Sequence, residues 1–223
     1  MVRKTKAEAQ LTRQQIIDAA REVFLTRGVN RTTLQDIAKQ AGVTRGAVYW
    51  HFSNKHELFH AMRDQVFLPL IDRMGDTLLT EEMHDPLGNI EKFLCGTIQS
   101  LEENAPIRQI YEIMMVKCEY VDEFAEVLQQ ILTNCSDIIS KLELVYERAR
   151  DQGQLYPDLN PSAMALDTHL FFAGLLHMWV KDSQGTRFRH QAVEIIKSHV
   201  KLRRPRPQAC ESASAELISA EAR

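Results

Sequence analysis

The sequence RGAVYWH, which begins at Arg45, concentrates side chains that suit contact with nucleic acid. The planar guanidinium group of Arg45 can donate two hydrogen bonds to the O6 and N7 atoms of a guanine. Gly46 has no side chain, so the backbone can approach a ligand closely at that position. The hydroxyl and ring N–H groups of Tyr49, Trp50 and His51 suit phosphate oxygens, and their aromatic faces suit a thymine methyl group. These residues predict a DNA-reading surface.

A second pattern, HELFH from His56 to His60, matches the H-E-x-x-H sequence of zinc proteases. In such enzymes the two histidines bind the metal from one helix face, and the glutamate acts as general base. Glu81 and Glu82 follow as possible third ligands. The pattern has only three fixed letters, and the chain contains eight histidines, so a chance match is expected. We therefore expect no catalytic residue, no metal and no cofactor, and we interpret HELFH as the start of a helix.

Two short helices around Gly42 position the Arg- and aromatic-rich sequence. The apolar residues of the first helix follow the i, i+3, i+4, i+7 spacing of one face, at Leu34, Ile37, Ala38 and Ala41. Thr33 and Thr44 each precede a helix and are suitable N-caps, and Gly42 supplies the left-handed backbone that ends the first one. Thr33 and Lys55 also lie at helix N-termini, which attract phosphate groups. The pattern predicts a helix-turn-helix unit.

The sequence TTLQDIAKQAGVTRGAVYWHF, followed by SNKHELF, resembles the DNA-binding segment of TetR-type transcriptional repressors. Within that family the resemblance is to the AcrR/TtgR type, which represses multidrug efflux pumps. It is dense to about residue 60 and returns at residues 117–124 and 173–179. The resemblance implies an operator-binding homodimer whose DNA contacts are Thr33, Thr44, Arg45, Gly46, Tyr49, Trp50, His51 and Lys55.

Charge is distributed unevenly along the chain, which has 223 residues and a net charge of −3. Residues 1–63 hold 11 Lys and Arg against 5 Asp and Glu, a net charge of +6, whereas residues 64–223 hold 16 against 25, a net charge of −9. A basic module joined to an acidic body keeps the attraction for phosphate at one end. Arg3, Lys4 and Lys6 form a basic arm that either follows a phosphate backbone or minor groove or stays solvated.

Cysteine usage and hydropathy are typical of a cytoplasmic protein. Cys95, Cys118, Cys135 and Cys210 show no C-x-x-C spacing, and we expect buried, reduced thiols. The basic start MVRKTKAEAQ is not followed by an apolar stretch, so it is not a secretory signal. No run approaches the ~18–20 apolar residues that span a bilayer, so we expect no membrane partner.

The rest of the chain shows helical periodicity and no strand with turn signals, which predicts an all-α protein of about nine helices. We expect three parts. Residues 1–53 form an N-terminal three-helix DNA-binding domain with the helix-turn-helix. Residues 54–203 form a larger helical domain for ligand binding and dimerisation. Residues 204–223, rich in Pro, Ser, Ala and Glu, form a disordered tail.

Three helix boundaries are predicted from capping patterns. The first helix is expected to begin at Thr12, with Gln15 completing a capping box. The fourth is capped by Ser53 or Asn54 and runs from the DNA module into the body, so a motion of the body reaches the module through it. The sixth is expected over Ile107–Cys118, after an interruption by proline.

The acidic body is the predicted sensor. The resemblance implies a cavity among helices four to eight that binds bulky, mostly apolar drugs. Apolar and aromatic residues suit a lining that repacks around different ligands, and the candidates are Val66, Phe67, Phe93, Thr97, Tyr111, Met115, His169, Phe172 and Leu176. Tyr111 and His169 are the polar groups that could orient a ligand. An ordinary helical core shows the same stripes, so both interpretations remain open.

Helix eight, LDTHLFFAGLLHMWV, is apolar on nearly all sides and therefore needs burial on more than one side. A surface of helices eight and nine, repeated by a two-fold axis, gives a four-helix interface. We expect a homodimer through these helices, and the alternative is that both pack only within their own subunit.

The resulting hypothesis is a ligand-responsive repressor that binds a palindromic operator as a dimer, controls a multidrug efflux pump operon and is released by bulky apolar drugs. The alternatives are a TetR-type activator or regulator of a lipid or quorum signal pathway, a zinc hydrolase, and a helical interaction protein without a DNA function.

Overall fold

The computed structural model describes residues 5–79 and 84–205. Over these ranges the chain is all-α, as predicted, and contains nine α-helices and no strand. The helices are α1 Lys6–Arg27, α2 Leu34–Gln40, α3 Arg45–His51, α4 Lys55–Leu78, α5 Pro86–Glu103, α6 Ala105–Glu112, α7 Ala125–Asp151, α8 Pro161–Lys181 and α9 Ala192–Lys201. A π-helical turn covers Ile113–Lys117, and 3-10 turns cover Asp122–Phe124 and Arg189–Gln191. The predictions for Arg3, Lys4, Glu81, Glu82, Cys210 and the tail beyond residue 205 lie outside the described residues.

The first helix begins earlier than its sequence predicts. Thr5, not Thr12, is the N-cap: its hydroxyl accepts from the Glu8 N–H at 3.3 Å, and the Glu8 carboxylate accepts from the Thr5 N–H at 2.7 Å. Thr12 lies inside the helix and donates to the Glu8 carbonyl, while Gln15 donates to the Ala41 carbonyl at 2.7 Å. Two T-x-x-E/Q patterns were available, and the intervening alanines let the helix extend to the earlier one.

The N-terminal module packs three helices around a small core. Each short helix is held by its cap, since the Thr33 hydroxyl accepts from the Asp36 N–H and the Thr44 hydroxyl from the Ala47 N–H, both at 3.2 Å. Gly42 between them has a φ of 64°, the left-handed conformation that favours glycine. The fully buried core residues are Ile16, Ile17, Ala20, Phe24, Val29, Ile37 and Val48.

Helix α4 connects the module to the body. Asn54 rather than Ser53 is its cap, because the Asn54 side chain accepts from the Glu57 N–H at 2.8 Å. Leu58, Phe59 and Met62 are fully buried and add apolar surface to the core of a module that is small for three helices alone.

The body packs α5 centrally against α4, α7 and α9, with α7 lying along α8. The sixth helix differs from its prediction. It begins at Ala105, with Asn104 as cap and Pro106 in the first turn, because a proline there removes an N–H that needs no helical partner. The α-helix ends at Glu112 and continues as the π-helical turn, which places five residues in one wide turn.

Helix α8 is apolar on two sides, but only one side is covered. Thr168 and Trp179 are fully buried, whereas Leu166, Leu170 and Met178 are exposed, Leu170 at 61%. By length and composition α8 is also the one helix within the described ranges that could cross a membrane, which the sequence analysis did not anticipate. A single such helix is weak evidence for a membrane span, since the core helix of a water-soluble protein meets the same criterion.

Candidate nucleic-acid interface and ligand cavity

Arg45 and Tyr49 form one unit on the outer face of α3. They lie one turn apart, the Arg45 guanidinium donates to the Tyr49 hydroxyl at 3.2 Å, and its carbon lies 5.2 Å from the centre of the Tyr49 ring. Both side chains are exposed. The contact restrains the flexible arginine before any partner arrives, which reduces the entropy lost on binding. Arg45 is the first residue of α3, and helix-turn-helix proteins read bases from this end of their second helix.

Trp50 extends this surface. It is 72% exposed and its ring meets His51 edge-on, with centroids 4.5 Å apart. An indole this exposed contributes nothing to its own core, so its burial requires a partner. Gly46 is also exposed, and a Cβ placed there would meet no atom of the chain closer than 3.9 Å. The fold itself does not require glycine at this position, which leaves close approach of an external partner as a reason for it.

Thr33 and Asp36 define the N-terminus of α2. The Thr33 hydroxyl donates to the Asp36 carboxylate at 2.6 Å, and Arg27 pairs with the same carboxylate at 2.8 Å. The Thr33 side chain, then its backbone N–H, lowers the pKa of Asp36 by hydrogen bonding to the carboxylate. Thr33 and Thr44 thus act as caps in the structure, and their predicted DNA contacts remain predictions.

Lys55 faces the body rather than solvent. Its ammonium group lies 3.0 Å from the Glu123 carboxylate and donates to the Asn30 carbonyl at 3.3 Å, and it lies over the Phe124 ring. The side chain is only 12% exposed. A phosphate contact by Lys55 remains a prediction, but its observed partners give it a structural role between the two parts of the chain.

A second connection between module and body escaped the sequence reasoning. The loop after α1 meets the segment 113–124, which we call the relay segment. The Val29 N–H donates to the Lys117 carbonyl at 2.9 Å. The side-chain amide of Asn30 donates to the Glu119 carbonyl at 3.2 Å and accepts from the Glu119 N–H at 3.0 Å. The one available signal was the return of the family resemblance at residues 117–124.

A cavity of about 300 Å³ lies in the body among α4 to α8. Six of the nine predicted ligand residues line it: Phe93, Tyr111, Met115, His169, Phe172 and Leu176. The lining also includes residues that sequence reasoning missed: Leu70, Leu94, Met114, Tyr120, Leu128, Ile131, Cys135, Ile138, Leu142, Thr168 and Ala173. The α7 members recur every three or four residues, a stripe that the sequence shows but that an ordinary core would share.

The other three predicted residues lie elsewhere. Val66 and Thr97 line a neighbouring cavity of about 30 Å³ that Tyr111 also borders. The Thr97 hydroxyl donates to the Phe93 carbonyl at 2.9 Å. The side chain of Phe67 lies outside the described residues.

The cavity lining is apolar and uncharged. Its residues include no Asp, Glu, Lys or Arg within the described part of the chain. Burial lowers the pKa of His169, so the imidazole is neutral at pH 7. Two further hydroxyls are engaged, since Tyr120 donates to the Met114 carbonyl at 2.8 Å and Thr168 shares a hydrogen bond with Tyr146 at 2.7 Å. A charged ligand would lose its hydration here without a compensating partner.

The cysteines are half-buried and free where the structure describes them. Burial raises the pKa of all three of these thiols, to about 12 for Cys118, and Cys135 lines the cavity. Such thiols are protonated at neutral pH and are weak nucleophiles.

The H-E-x-x-H pattern lies at the start of α4. The Glu57 carboxylate accepts from the Ser53 N–H at 2.7 Å, so it helps to cap the helix. Among the described residues no group of three metal-ligating side chains is found. The two histidines do meet, with their Nε2 atoms 3.1 Å apart.

Comparison with known families agrees with this arrangement. The sequence profile described as bacterial regulatory proteins, tetR family, matches residues 16–62. That of the MAATS-type transcriptional repressor C-terminal region matches residues 85–204, more than half of the chain. The chain belongs to the TetR family. Its fold therefore follows the TetR division into an N-terminal helix-turn-helix domain and a C-terminal helical domain, and the family consists of transcriptional regulators.

Individual TetR-family relatives cover most of the chain. The HTH-type transcriptional regulator TtgR of Pseudomonas putida is 42% identical over 180 residues, which are 81% of this chain and 85% of TtgR. Among solved structures, NalD, the secondary repressor of the MexAB-OprM multidrug efflux pump in Pseudomonas aeruginosa, superimposes with a TM-score of 0.78 at 32% identity, covering 88% of this chain and 97% of NalD. The structure of a SmeT–triclosan complex superimposes with a TM-score of 0.73 at 30% identity, covering 85% of this chain and 91% of SmeT. SmeT is the repressor of the Stenotrophomonas maltophilia pump SmeDEF.

Proposed function

We propose that the protein is a ligand-responsive repressor that binds a palindromic operator as a homodimer, controls a multidrug efflux pump operon and is released by a bulky, uncharged apolar compound. The observation that carries this proposal is the uncharged cavity whose lining continues into the relay segment. The relatives named as efflux repressors, and the triclosan complex of one of them, support it. A transcriptional regulator of this kind acts in the cytoplasm.

The DNA contacts proposed are Thr33, Thr44, Arg45, Gly46, Tyr49, Trp50 and His51, with Lys55 retained from the resemblance. Arg45 reads a guanine, and Trp50 and His51 contact the backbone or a thymine methyl group. The support is the shared exposure of Arg45, Tyr49 and Trp50 on one short helix. We place the domain boundary at residues 53 and 54, where Asn54 begins α4.

The proposed dimer interface uses α8 and α9. Five large apolar side chains on these helices are exposed in the single chain: Leu166, Leu170, Met178, Val193 and Ile195. A two-fold axis would bury both copies of this surface in a four-helix interface. The two α3 helices would then meet successive major grooves, about 34–36 Å apart.

Effector binding would reach the DNA module by two routes. One is α4, which is continuous from the module to the cavity wall at Leu70. The other is the relay segment: Met114, Met115 and Tyr120 line the cavity, while Lys117 and Glu119 hold the loop after α1 by backbone atoms. A ligand that displaces Tyr120 or the two methionines therefore changes the position of the loop. By linkage, the effector weakens DNA binding by the same factor as DNA weakens effector binding, typically ~1–3 kcal/mol.

The experiment is a footprint of the purified protein on the intergenic DNA beside its gene, with and without triclosan and a panel of aromatic compounds. We expect protection of a palindrome, lost on addition of uncharged compounds and retained with carboxylate analogues of equal size. Operator affinity that no uncharged compound changes would refute the sensor part. Absence of any protected site beside a pump operon, with protection beside biosynthetic genes, would favour a regulator of a lipid or signal pathway.

A further inference from the structure

The two histidines of HELFH lie close enough to bind one metal ion together. His56 and His60 lie one turn apart on the first turns of α4, both half-buried, with ring centroids 4.4 Å apart and ring planes at 75°. Their Nε2 atoms face each other at 3.1 Å. At this distance a ring N–H of one histidine can donate to the ring nitrogen of the other, and the same two nitrogens can bind one metal ion when both rings carry their proton on Nδ1.

The nitrogen separation fits bidentate binding of a first-row transition metal. With metal–nitrogen distances of about 2.0–2.1 Å, two ligands of a tetrahedral ion lie about 3.3 Å apart, and two at a right angle lie about 2.9 Å apart. The observed 3.1 Å lies between these values. The separation of the two nitrogens would therefore need to change by no more than a few tenths of an ångström.

The surroundings do not forbid a cation. The nearby Lys55 ammonium lies 3.0 Å from Glu123, and the Arg63 guanidinium lies 3.2 Å from Asp64, so each positive group is matched by a carboxylate.

We infer that His56 and His60 chelate a divalent first-row transition metal ion through their Nε2 atoms, with water completing the coordination. The order of affinity should be Cu²⁺ above Ni²⁺ and Zn²⁺, and Mg²⁺ should not bind, because it requires oxygen ligands. This revises the expectation of no metal site. It concerns binding and not catalysis, because Glu57 is engaged at the start of the helix. The site lies where α4 meets the relay segment, since the His56 and Phe124 rings are 6.0 Å apart.

The test uses the untagged full-length protein with each metal ion alone, without DNA or effector, so its outcome is independent of the proposed function. Calorimetry with Zn²⁺ should give one site per chain, and electron paramagnetic resonance with Cu²⁺ should show two bound nitrogens. His56→Ala and His60→Ala should each lower the affinity at least about tenfold, because one monodentate imidazole remains.

His190→Ala is the matched control, since His190 is exposed on the 3-10 turn before α9, and it should bind as the parent does. His56→Gln provides a second variant in case the alanine variant loses helicity by circular dichroism. Unchanged affinity in folded His56 and His60 variants would place the ion on other ligands and overturn the inference. Failure of the parent protein to bind Cu²⁺ or Zn²⁺ would overturn it as well.

Discussion

Helix α3 and the cavity differ in how their side chains are arranged for binding. Helix α3 carries its binding groups outward on seven consecutive residues, and only Val48 among them is buried. The cavity is built inward by side chains from α4 to α8 and the relay segment, spread over more than 100 residues. The first surface would bind a charged polymer through a few exposed side chains. The second would bind an apolar molecule through many weak contacts, so single changes at the two sites should differ in size.

The largest effect is expected at Arg45. Arg45→Ala would remove a base contact worth ~1–3 kcal/mol, and a dimer would lose it twice, so operator affinity should fall by roughly thirtyfold to ten-thousandfold. Binding to unrelated DNA should change much less, because phosphate contacts remain. Fluorescence anisotropy on operator and scrambled duplexes measures both. Arg187→Ala, an exposed arginine of the body, is the control. An equal loss on both duplexes would contradict base reading by Arg45.

A smaller effect is expected from filling the cavity. Ala173→Trp places an indole among the lining side chains and should lower effector affinity by about ten- to a hundredfold, because the ligand must displace it. Operator binding without effector should persist. Ala125→Trp, on the exposed start of α7 outside the cavity, adds the same bulk as a control. Unchanged triclosan affinity in Ala173→Trp would place the effector elsewhere.

The two regions also differ in how far sequence could predict them. The helix-turn-helix is local: Thr33, Gly42 and Thr44 set its ends within twelve residues, and the structure keeps all three in the expected roles. The cavity depends on which faces of distant helices meet. The apolar stripe that includes Ile131 and Cys135 is equally typical of an ordinary helical core. No local pattern predicts that it lines the same cavity as His169.

The relay segment was harder still to predict. Its π-helical turn at 113–117 has no capping signal, and the pairing of Asn30 with Glu119 joins residues 89 positions apart. Local propensity predicts α-helix through this region, and tertiary contacts change it. The start of the first helix at Thr5 rather than Thr12 is a different case, since the Thr5–Glu8 capping box is a local pattern that the sequence contains but that was not considered.

The stability of the protein should depend on pH through His199 on α9. Burial, then Arg203, lowers the pKa of His199 to about 4, although Asp167 opposes this. The folded value lies below the unfolded value of about 6.5, so the unfolded state binds the extra proton first and stability falls as pH decreases from about 6.5 to 4. We expect a loss of about 1–2 kcal/mol by pH 5, measured by urea unfolding. His199→Gln should flatten this dependence, and an unchanged slope would assign it to other groups.

The smallest effect, and the most informative about how the two regions communicate, is expected at Asn30. Asn30→Ala removes both hydrogen bonds between its amide and the Glu119 backbone but leaves the cavity lining and the α3 surface intact. Effector and operator should each bind alone with nearly parental affinity. The coupling free energy, by which each weakens the binding of the other, should fall by about 0.5–2 kcal/mol.

Arg31→Ala is the matched control for Asn30→Ala, because it alters the neighbouring exposed side chain of the same loop. Coupling is obtained from operator titrations at zero and saturating effector. If Asn30→Ala retains the full coupling, α4 alone transmits the signal and the relay segment only supports the fold. If Asn30→Ala lowers the coupling without altering either affinity, the contact between Asn30 and the relay segment carries part of the coupling free energy, and α4 carries only the rest.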